Sequence, residues 1–123
     1  ISVDAPHNYS PNCIAYTGTH DNNTTLGWFR NETTEEDKKR LASYAGTEVN
    51  EHNVTDVLTK MVYGSVANTA IIPMQDILKL DEHARMNTPG TIYNNWLWRM
   101  DEHAFDCAQI EQLKYLVEFY NRG

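Results

Sequence analysis

The sequence has little basic charge, few cysteines and no long hydrophobic run. Ten Lys and Arg residues stand against seventeen Asp and Glu residues, and the net charge of −7 argues against nucleic acid or an anionic membrane surface as partners. No apolar stretch approaches the roughly 18–20 residues that a membrane-spanning helix needs. The two cysteines, Cys13 and Cys107, are too few for a disulfide framework. We therefore expect free thiols and a cytoplasmic setting.

What the sequence does contain is the composition of an ordinary globular protein. Hydrophobic residues make up 41% of the 123 positions, which favours a folded chain over a disordered one. The length is that of one domain at most. The first residue is Ile1 rather than Met and no signal peptide follows it, so we expect a processed, truncated or excised segment.

Two short apolar runs predict β-strands, at residues 13–17 (CIAYT) and at residues 70–74 (AIIPM), the second interrupted by Pro73. Helices are expected between the two strands and after the second. This order is typical of a parallel βαβα arrangement with a right-handed crossover. Two parallel strands cannot bury both faces of a sheet by themselves. The predicted fold class is therefore α/β, and residues 1–123 are expected to be a piece of a larger sheet or barrel rather than a complete domain.

Helical periodicity is clearest in three segments, at residues 33–46, 53–65 and 106–122, with one or two further turns at residues 23–29. Residues 1–12 are expected to be a loop. The expected capping residues are Thr33 and Asn53 at the starts of the first two helices, and Gly46 and Gly64 at their ends.

Polar pairs follow each predicted strand. His20 and Asp21 come after the first strand, and Gln75 and Asp76 come after the second. In parallel α/β folds functional side chains collect at the carboxyl ends of the strands, so these four residues are candidate site residues. The same spacing also fits a simpler role, in which Asp21 caps the following helical turn and His20 is its polar neighbour.

A long loop at residues 80–100 carries the second group of candidates. Asn87 can donate and accept hydrogen bonds to a sugar hydroxyl, and Pro89-Gly90 predicts a tight turn beside it. Loops of this length are usually functional or disordered. The aromatic residues that follow can stack on sugar rings or pack in a core: Tyr93, Trp96 and Trp98.

Metal binding is not expected. The motif DEH occurs at residues 81–83 and 101–103, but no H-x-x-x-H or C-x-x-C spacing accompanies it. Acidic residues in this position are more typical of the first turn of a helix, where they complement the helix dipole.

Taken together, three stretches resemble the C-terminal part of one family. Residues 16–28 (YTGTHDNNTTLGW), residues 71–78 (IIPMQDIL) and residues 84–99 (ARMNTPGT, then NWLWR) occur in the order found in the 4-alpha-glucanotransferases. These are also called amylomaltases or disproportionating enzymes, and they form glycoside hydrolase family 77. PHNY at residues 6–9 fits the same family, so the resemblance covers nearly the whole chain.

The resemblance implies a (β/α)8 TIM barrel of which this chain supplies the last two strands and their helices. It implies transfer of α-1,4-glucan segments between maltooligosaccharides by a retaining double displacement. Asp21 would be the transition-state stabiliser, and the expected substrate-binding residues are His20, Asn87, Gln75 and Asp76. No metal or organic cofactor is implied.

The family's nucleophile and acid/base lie in motifs that this sequence lacks, since neither R-x-D-H nor E-D-L-G occurs in it. The isolated chain is therefore expected to be inactive. One alternative is a non-catalytic carbohydrate-binding or assembly segment. A second is a metal-dependent phosphohydrolase built on the His-Asp pair, which would require an essentially helical fold.

Unpaired strand edges and apolar helix faces also predict that the isolated chain self-associates. The residues expected to need partners are those of the closing helix together with Val54, Val57, Leu58 and Met61.

Overall fold

The structure, a computed structural model, describes residues 4–123. The first three residues of the predicted N-terminal loop lie outside this range, and the rest of that loop contains one 3-10 turn, Pro6–Asn8. The strands and α-helices of the described chain are, in order, β1 Ile14–Tyr16, α1 Thr25–Asn31, α2 Glu35–Ala45, α3 Val54–Tyr63, β2 Thr69–Ile71, α4 Met74–Ile77 and α5 Cys107–Phe119.

The two strands pair in parallel, as predicted, with Ala15 opposite Ala70. Ala15 points into a small core with Val62 and Ala67. The predicted second strand was placed too far along the chain, because β2 ends at Ile71 and Met74 already begins α4. The physical reason is Pro73, which has no amide hydrogen to donate to a strand ladder and instead precedes the first turn of α4.

The start of α2 lies one residue later than predicted. Thr34 accepts a hydrogen bond from the Asp37 amide at 3.1 Å, and the Asp37 carboxylate accepts from the Thr34 amide at 2.9 Å. This reciprocal capping box lowers the pKa of Asp37, chiefly through the bond from the Thr34 amide. The hydroxyl of Thr33 instead donates to the Phe29 carbonyl at the end of α1. Gly46 ends α2 with a φ of 71°, as predicted.

Helix α3 packs against α1 and α5 within the chain. Val54 is fully buried, so the expectation that it needs an outside partner is wrong. Asn53 precedes α3 as predicted, but its side chain bonds to Asn50 and Glu48 of the preceding turn and caps no helical amide. Helix α5 buries Leu116. Among the described helices, none has the length and apolar content needed to cross a membrane.

Candidate functional site

The loop between β1 and α1, residues 18–24, is called loop A here. Asn22 folds it into a turn, because its side-chain oxygen accepts from the Thr19 amide at 2.8 Å and from the Thr19 hydroxyl at 3.1 Å. Thr24 caps α1 by accepting from the Gly27 amide. The simpler role considered for Asp21, capping this helix, is therefore wrong. His20 and Asp21 lie at the tip of the turn with half-exposed side chains.

Three of the predicted site residues lie in contact with one another. The Asn87 amide group donates to Oδ1 of Asp21 at 2.8 Å, and Nε2 of His20 lies 3.3 Å from the same oxygen. The Asn87 backbone amide also donates to the His20 carbonyl at 3.1 Å. Residues that are far apart in sequence are thus held side by side at the carboxyl end of β1.

Arg85 joins Asp21 and Asn87 by hydrogen bonds to their backbones, although the sequence patterns did not single it out. Its Nη2 donates to the Asp21 carbonyl and its Nε donates to the Asn87 carbonyl, both at 2.9 Å. The guanidinium group offers several donors in one rigid plane, so a single side chain can bridge both backbones. Arg85 lies within the ARMNTPGT stretch, but its role depends on a contact that spacing alone does not reveal.

The second polar pair lies in α4, immediately after β2, rather than on the strand itself. Gln75 donates to the Ala84 carbonyl at 3.3 Å. Asp76 is 3% exposed. Its Oδ1 accepts from the Thr25 amide, and its Oδ2 accepts from the hydroxyls of Thr17 and Thr25. Both members of the pair line a cleft of about 210 Å³.

The long connection after the Glu82–Ala84 turn, residues 85–100, is called loop B here. Its predicted tight turn is present: Gly90 has a φ of 81°, and the Thr91 amide donates to the Thr88 carbonyl. Asn95 closes the loop by accepting from the Thr88 amide at 2.9 Å. Trp96 follows with its amide bonded to the Met86 carbonyl at 2.7 Å.

Among the three aromatic candidates of loop B, Trp96 lines the cleft. Its ring lies 5.2 Å from the His20 ring, centre to centre. Its φ of 62° is a left-handed conformation that is unfavourable for a bulky residue. Backbone strain of this kind persists where the surroundings enforce it, and it is concentrated at functional sites. Tyr93, by contrast, is 76% exposed.

The first DEH motif brings three potential metal ligands, Asp81, Glu82 and His83, within 4.8 Å of one another. Asp81 is engaged otherwise, because it accepts from the His83 amide and lies beside the His83 ring and Arg30. The hydrogen bonds from His83 lower the pKa of Asp81. Asp81 begins the short Glu82–Ala84 turn, as predicted. The second motif begins no helix, since Asp106 caps α5.

The cleft and the cluster beside it combine features that suit a sugar. A carboxylate, a carboxamide and an imidazole present acceptors and donors to hydroxyl groups. An aromatic face covers the less polar side of a sugar ring.

Comparison with known proteins agrees with this description. Residues 2–104 match the family model described as 4-alpha-glucanotransferase. The chain is 45% identical over 121 residues to a 4-alpha-glucanotransferase of Streptococcus pneumoniae, covering 98% of this chain and 24% of that protein. It is 41% identical over 117 residues to one from Clostridium butyricum, covering 95% and 24%.

A solved structure, the amylomaltase from Streptococcus agalactiae in complex with acarbose, superposes with a TM-score of 0.92 at 39% identity. The match covers 99% of this chain and 24% of that one. The chain thus spans about a quarter of the length of the relatives it matches. It belongs to the 4-alpha-glucanotransferase family.

Proposed function

We propose that this chain is part of an enzyme that transfers α-1,4-glucan segments between maltooligosaccharides by a retaining double displacement. The observation that carries the proposal is the contact of Asp21 with His20 and Asn87 at the carboxyl end of β1. These are the residues to which the resemblance assigns transition-state stabilisation and sugar binding, and they belong to a chain of the glucanotransferase family.

In this proposal β1 and β2 are the last two strands of a (β/α)8 barrel. A barrel abolishes free strand edges, whereas the described chain has only this one pair of strands. Three of the large apolar side chains on the pair are exposed: Ile14, Tyr16 and Ile71. The match to a quarter of the Streptococcus agalactiae amylomaltase supports the same arrangement.

The proposed chemistry divides the work between this chain and the rest of the enzyme. A retaining transfer proceeds through a covalent glycosyl-enzyme and needs a carboxylate nucleophile and an acid/base, which the resemblance assigns to earlier strands. In the first step the carboxylate nucleophile attacks the anomeric carbon while the acid protonates the leaving glycosidic oxygen, so the glycosidic bond breaks as the bond to the enzyme forms. In the second step a hydroxyl of the acceptor glucan attacks the same carbon and releases the carboxylate, and the proton of that hydroxyl passes to the base.

Asp21 would act on the sugar at the cleaved bond. Its Oδ1 is held by Asn87, and its Oδ2 has no hydrogen bond within residues 4–123, so Oδ2 can accept from a sugar hydroxyl. Hydrogen bonds to ring hydroxyls that strengthen as the oxocarbenium-like state develops lower the barrier, because they favour that state over the bound substrate. His20 would donate to the same sugar, and Gln75 would contact it from the cleft.

The test is disproportionation of maltotriose by the full-length protein, followed by glucose release. Asp21→Asn keeps the size of the side chain and removes its charge, and we expect kcat to fall by about 1000-fold or more while KM changes little. Asp101→Asn, an equal change at an exposed position outside the site, should retain normal activity. Near-normal activity of Asp21→Asn would refute the assigned role.

The isolated chain has a second candidate function, sugar binding without chemistry. Trp96 favours it, because this ring lines the cleft beside His20, where an aromatic face can stack on a sugar. A sugar bound there would alter the fluorescence of Trp96. Titration with maltooligosaccharides would detect such binding. The metal-dependent phosphohydrolase would require an essentially helical fold. The parallel pair of strands and the family match therefore give it no support.

We also propose that the isolated chain self-associates. Three exposed apolar side chains of α5 support self-association, and light scattering would test it: Ile110, Tyr115 and Phe119.

We further propose that the parent protein is cytoplasmic. The thiols of Cys13 and Cys107 are both free, which supports a reducing compartment.

A further inference from the structure

Asp76 is a charged residue buried in the described chain without a cationic partner. Its carboxylate accepts three hydrogen bonds: from the Thr17 hydroxyl at 2.6 Å, from the Thr25 amide at 2.9 Å and from the Thr25 hydroxyl at 2.8 Å. Burying a carboxylate is costly unless hydrogen bonds compensate it. All three donors come from two residues that are more than fifty positions away in sequence.

The two threonines that supply these donors flank loop A. Thr17 directly follows β1, and Thr25 is the first residue of α1. The loop that carries His20 and Asp21 is therefore fastened at both ends to one carboxylate, which itself lies in the first turn after β2. Movement of either end of the loop requires a hydrogen bond to Asp76 to break.

We propose that Asp76 is a positioning residue that fixes loop A and thereby orients His20 and Asp21, rather than a residue that binds sugar. The threonine donors occupy three of the roughly four acceptor positions of the carboxylate, and Asp76 is 3% exposed, so little of it remains available to a sugar hydroxyl. A sugar hydroxyl that displaced one of these donors would leave a buried hydroxyl or amide unpaired, which is costly. Catalytic groups act through close alignment, and a displacement of about 1 Å can cost roughly 100-fold in rate.

The test uses the full-length protein and two variants, one that changes the acceptor of the hydrogen bonds to Asp76 and one that removes a donor. Asp76→Asn changes the acceptor, and Thr17→Val removes one donor while leaving the carboxylate intact. Thr17→Ser keeps the hydroxyl and should restore the bond. Thr59→Val, at a buried threonine of α3, controls for the loss of a buried hydroxyl elsewhere.

Two quantities are measured for each variant: hydrogen–deuterium exchange of residues 18–24, and kcat and KM for maltotriose. The exchange measurement is independent of activity, and the kinetic measurement rests on the proposed function. Thr19 and Asn22 bond within loop A through their amides, so their exchange reports its opening. We expect Asp76→Asn and Thr17→Val to raise exchange in loop A about tenfold or more and to lower kcat by about 10- to 100-fold. Thr17→Ser and Thr59→Val should match the unmodified protein there.

A different pattern would overturn the proposal. If Asp76→Asn lowers kcat while loop A exchanges normally and Thr17→Val is fully active, Asp76 acts on the sugar directly. Should Asp76→Asn fail to fold, Thr17→Val decides alone: normal exchange and normal kcat refute the anchoring role. If the unmodified protein shows no glucan transfer but loop A still loosens in Thr17→Val, the proposed function fails and the anchoring role stands.

Discussion

Loop A and loop B meet at the same site but are held in different ways. Loop A is short, and both of its ends are tied to the buried carboxylate of Asp76. Loop B is longer and is closed mainly upon itself, through Asn95 and the amide of Trp96. Three of its large apolar side chains are strongly exposed: Ile92, Tyr93 and Leu97.

Under the proposed function, this difference fits two distinct roles within the site. A side chain that must meet a reacting atom is best held by groups that are themselves fixed, and loop A meets this condition. Loop B instead offers exposed apolar surface, which suits contact with a bound glucan or with the rest of the parent protein. Two side chains of loop B, Asn87 and Arg85, donate hydrogen bonds to loop A, and substitutions at these two residues test the comparison directly.

Among the contacts between the two loops, the largest effect is expected at Asn87. Asn87→Ala removes a hydrogen bond to a charged group and should lower kcat/KM for maltotriose by about 10- to 100-fold. Asn87→Asp should lower it further, because it places a second carboxylate where the amide now lies 2.8 Å from Asp21.

Asn94→Asp is the matched control for this prediction. It adds the same charge to loop B at a position with a φ of 60°, which aspartate tolerates. Equal kcat/KM values for Asn87→Asp and Asn94→Asp would show that the contact between the loops has no role in transfer.

A smaller effect is expected at Arg85. Arg85→Lys keeps the positive charge, but an ammonium group lacks the planar geometry that reaches the carbonyls of Asp21 and Asn87 together. We expect kcat/KM for maltotriose to fall by about tenfold. Arg99→Lys, in the same loop, should have no effect, because Arg99 bonds only to its neighbour Trp98 among the described residues. Unchanged kinetics for Arg85→Lys would contradict the bridging role.

The smallest effect concerns the Glu82–Ala84 turn, which precedes loop B, in acid. Hydrogen bonds from His83 lower the pKa of Asp81, so ionised Asp81 stabilises the fold at pH values above the ordinary aspartate pKa of the unfolded chain. That contribution is lost as the pH falls through the lower, folded pKa. The melting temperature of the full-length protein should therefore fall less steeply in acid for Asp81→Asn than for the unmodified protein. Identical slopes would show that Asp81 does not stabilise this turn.

Local patterns predicted the main strands and helices well, but they misplaced some of the boundaries. The apolar runs and glycine positions indicated both strands, their parallel pairing and the ends of α2 and α3. The start of α2 was misplaced because Thr33 and Thr34 each have an acidic residue three positions later, so the two caps look alike in sequence.

The position of the candidate site could be predicted from the two strand ends, but the roles proposed for its residues depend on the resemblance to a family. Spacing alone left Asp21 as a plausible helix cap. It did not indicate that Arg85 bridges two backbones, or that Thr17 and Thr25 share the carboxylate of Asp76. The contacts of Arg85 with Asp21 and of Asp76 with the two threonines join residues 51 to 64 positions apart, and no local periodicity encodes them.

The separation of the two loops along the chain also sets when the site can form. Asn87 lies 66 residues after Asp21, and at about 5–20 residues per second a ribosome adds it roughly 3 to 13 seconds later. Asp76 follows Thr25 by 51 residues, so β1 and loop A emerge before their anchor has been synthesised. A nascent chain that stalls in this interval carries Asp21 without the Asn87 and Arg85 contacts, and β1 without its pairing to β2.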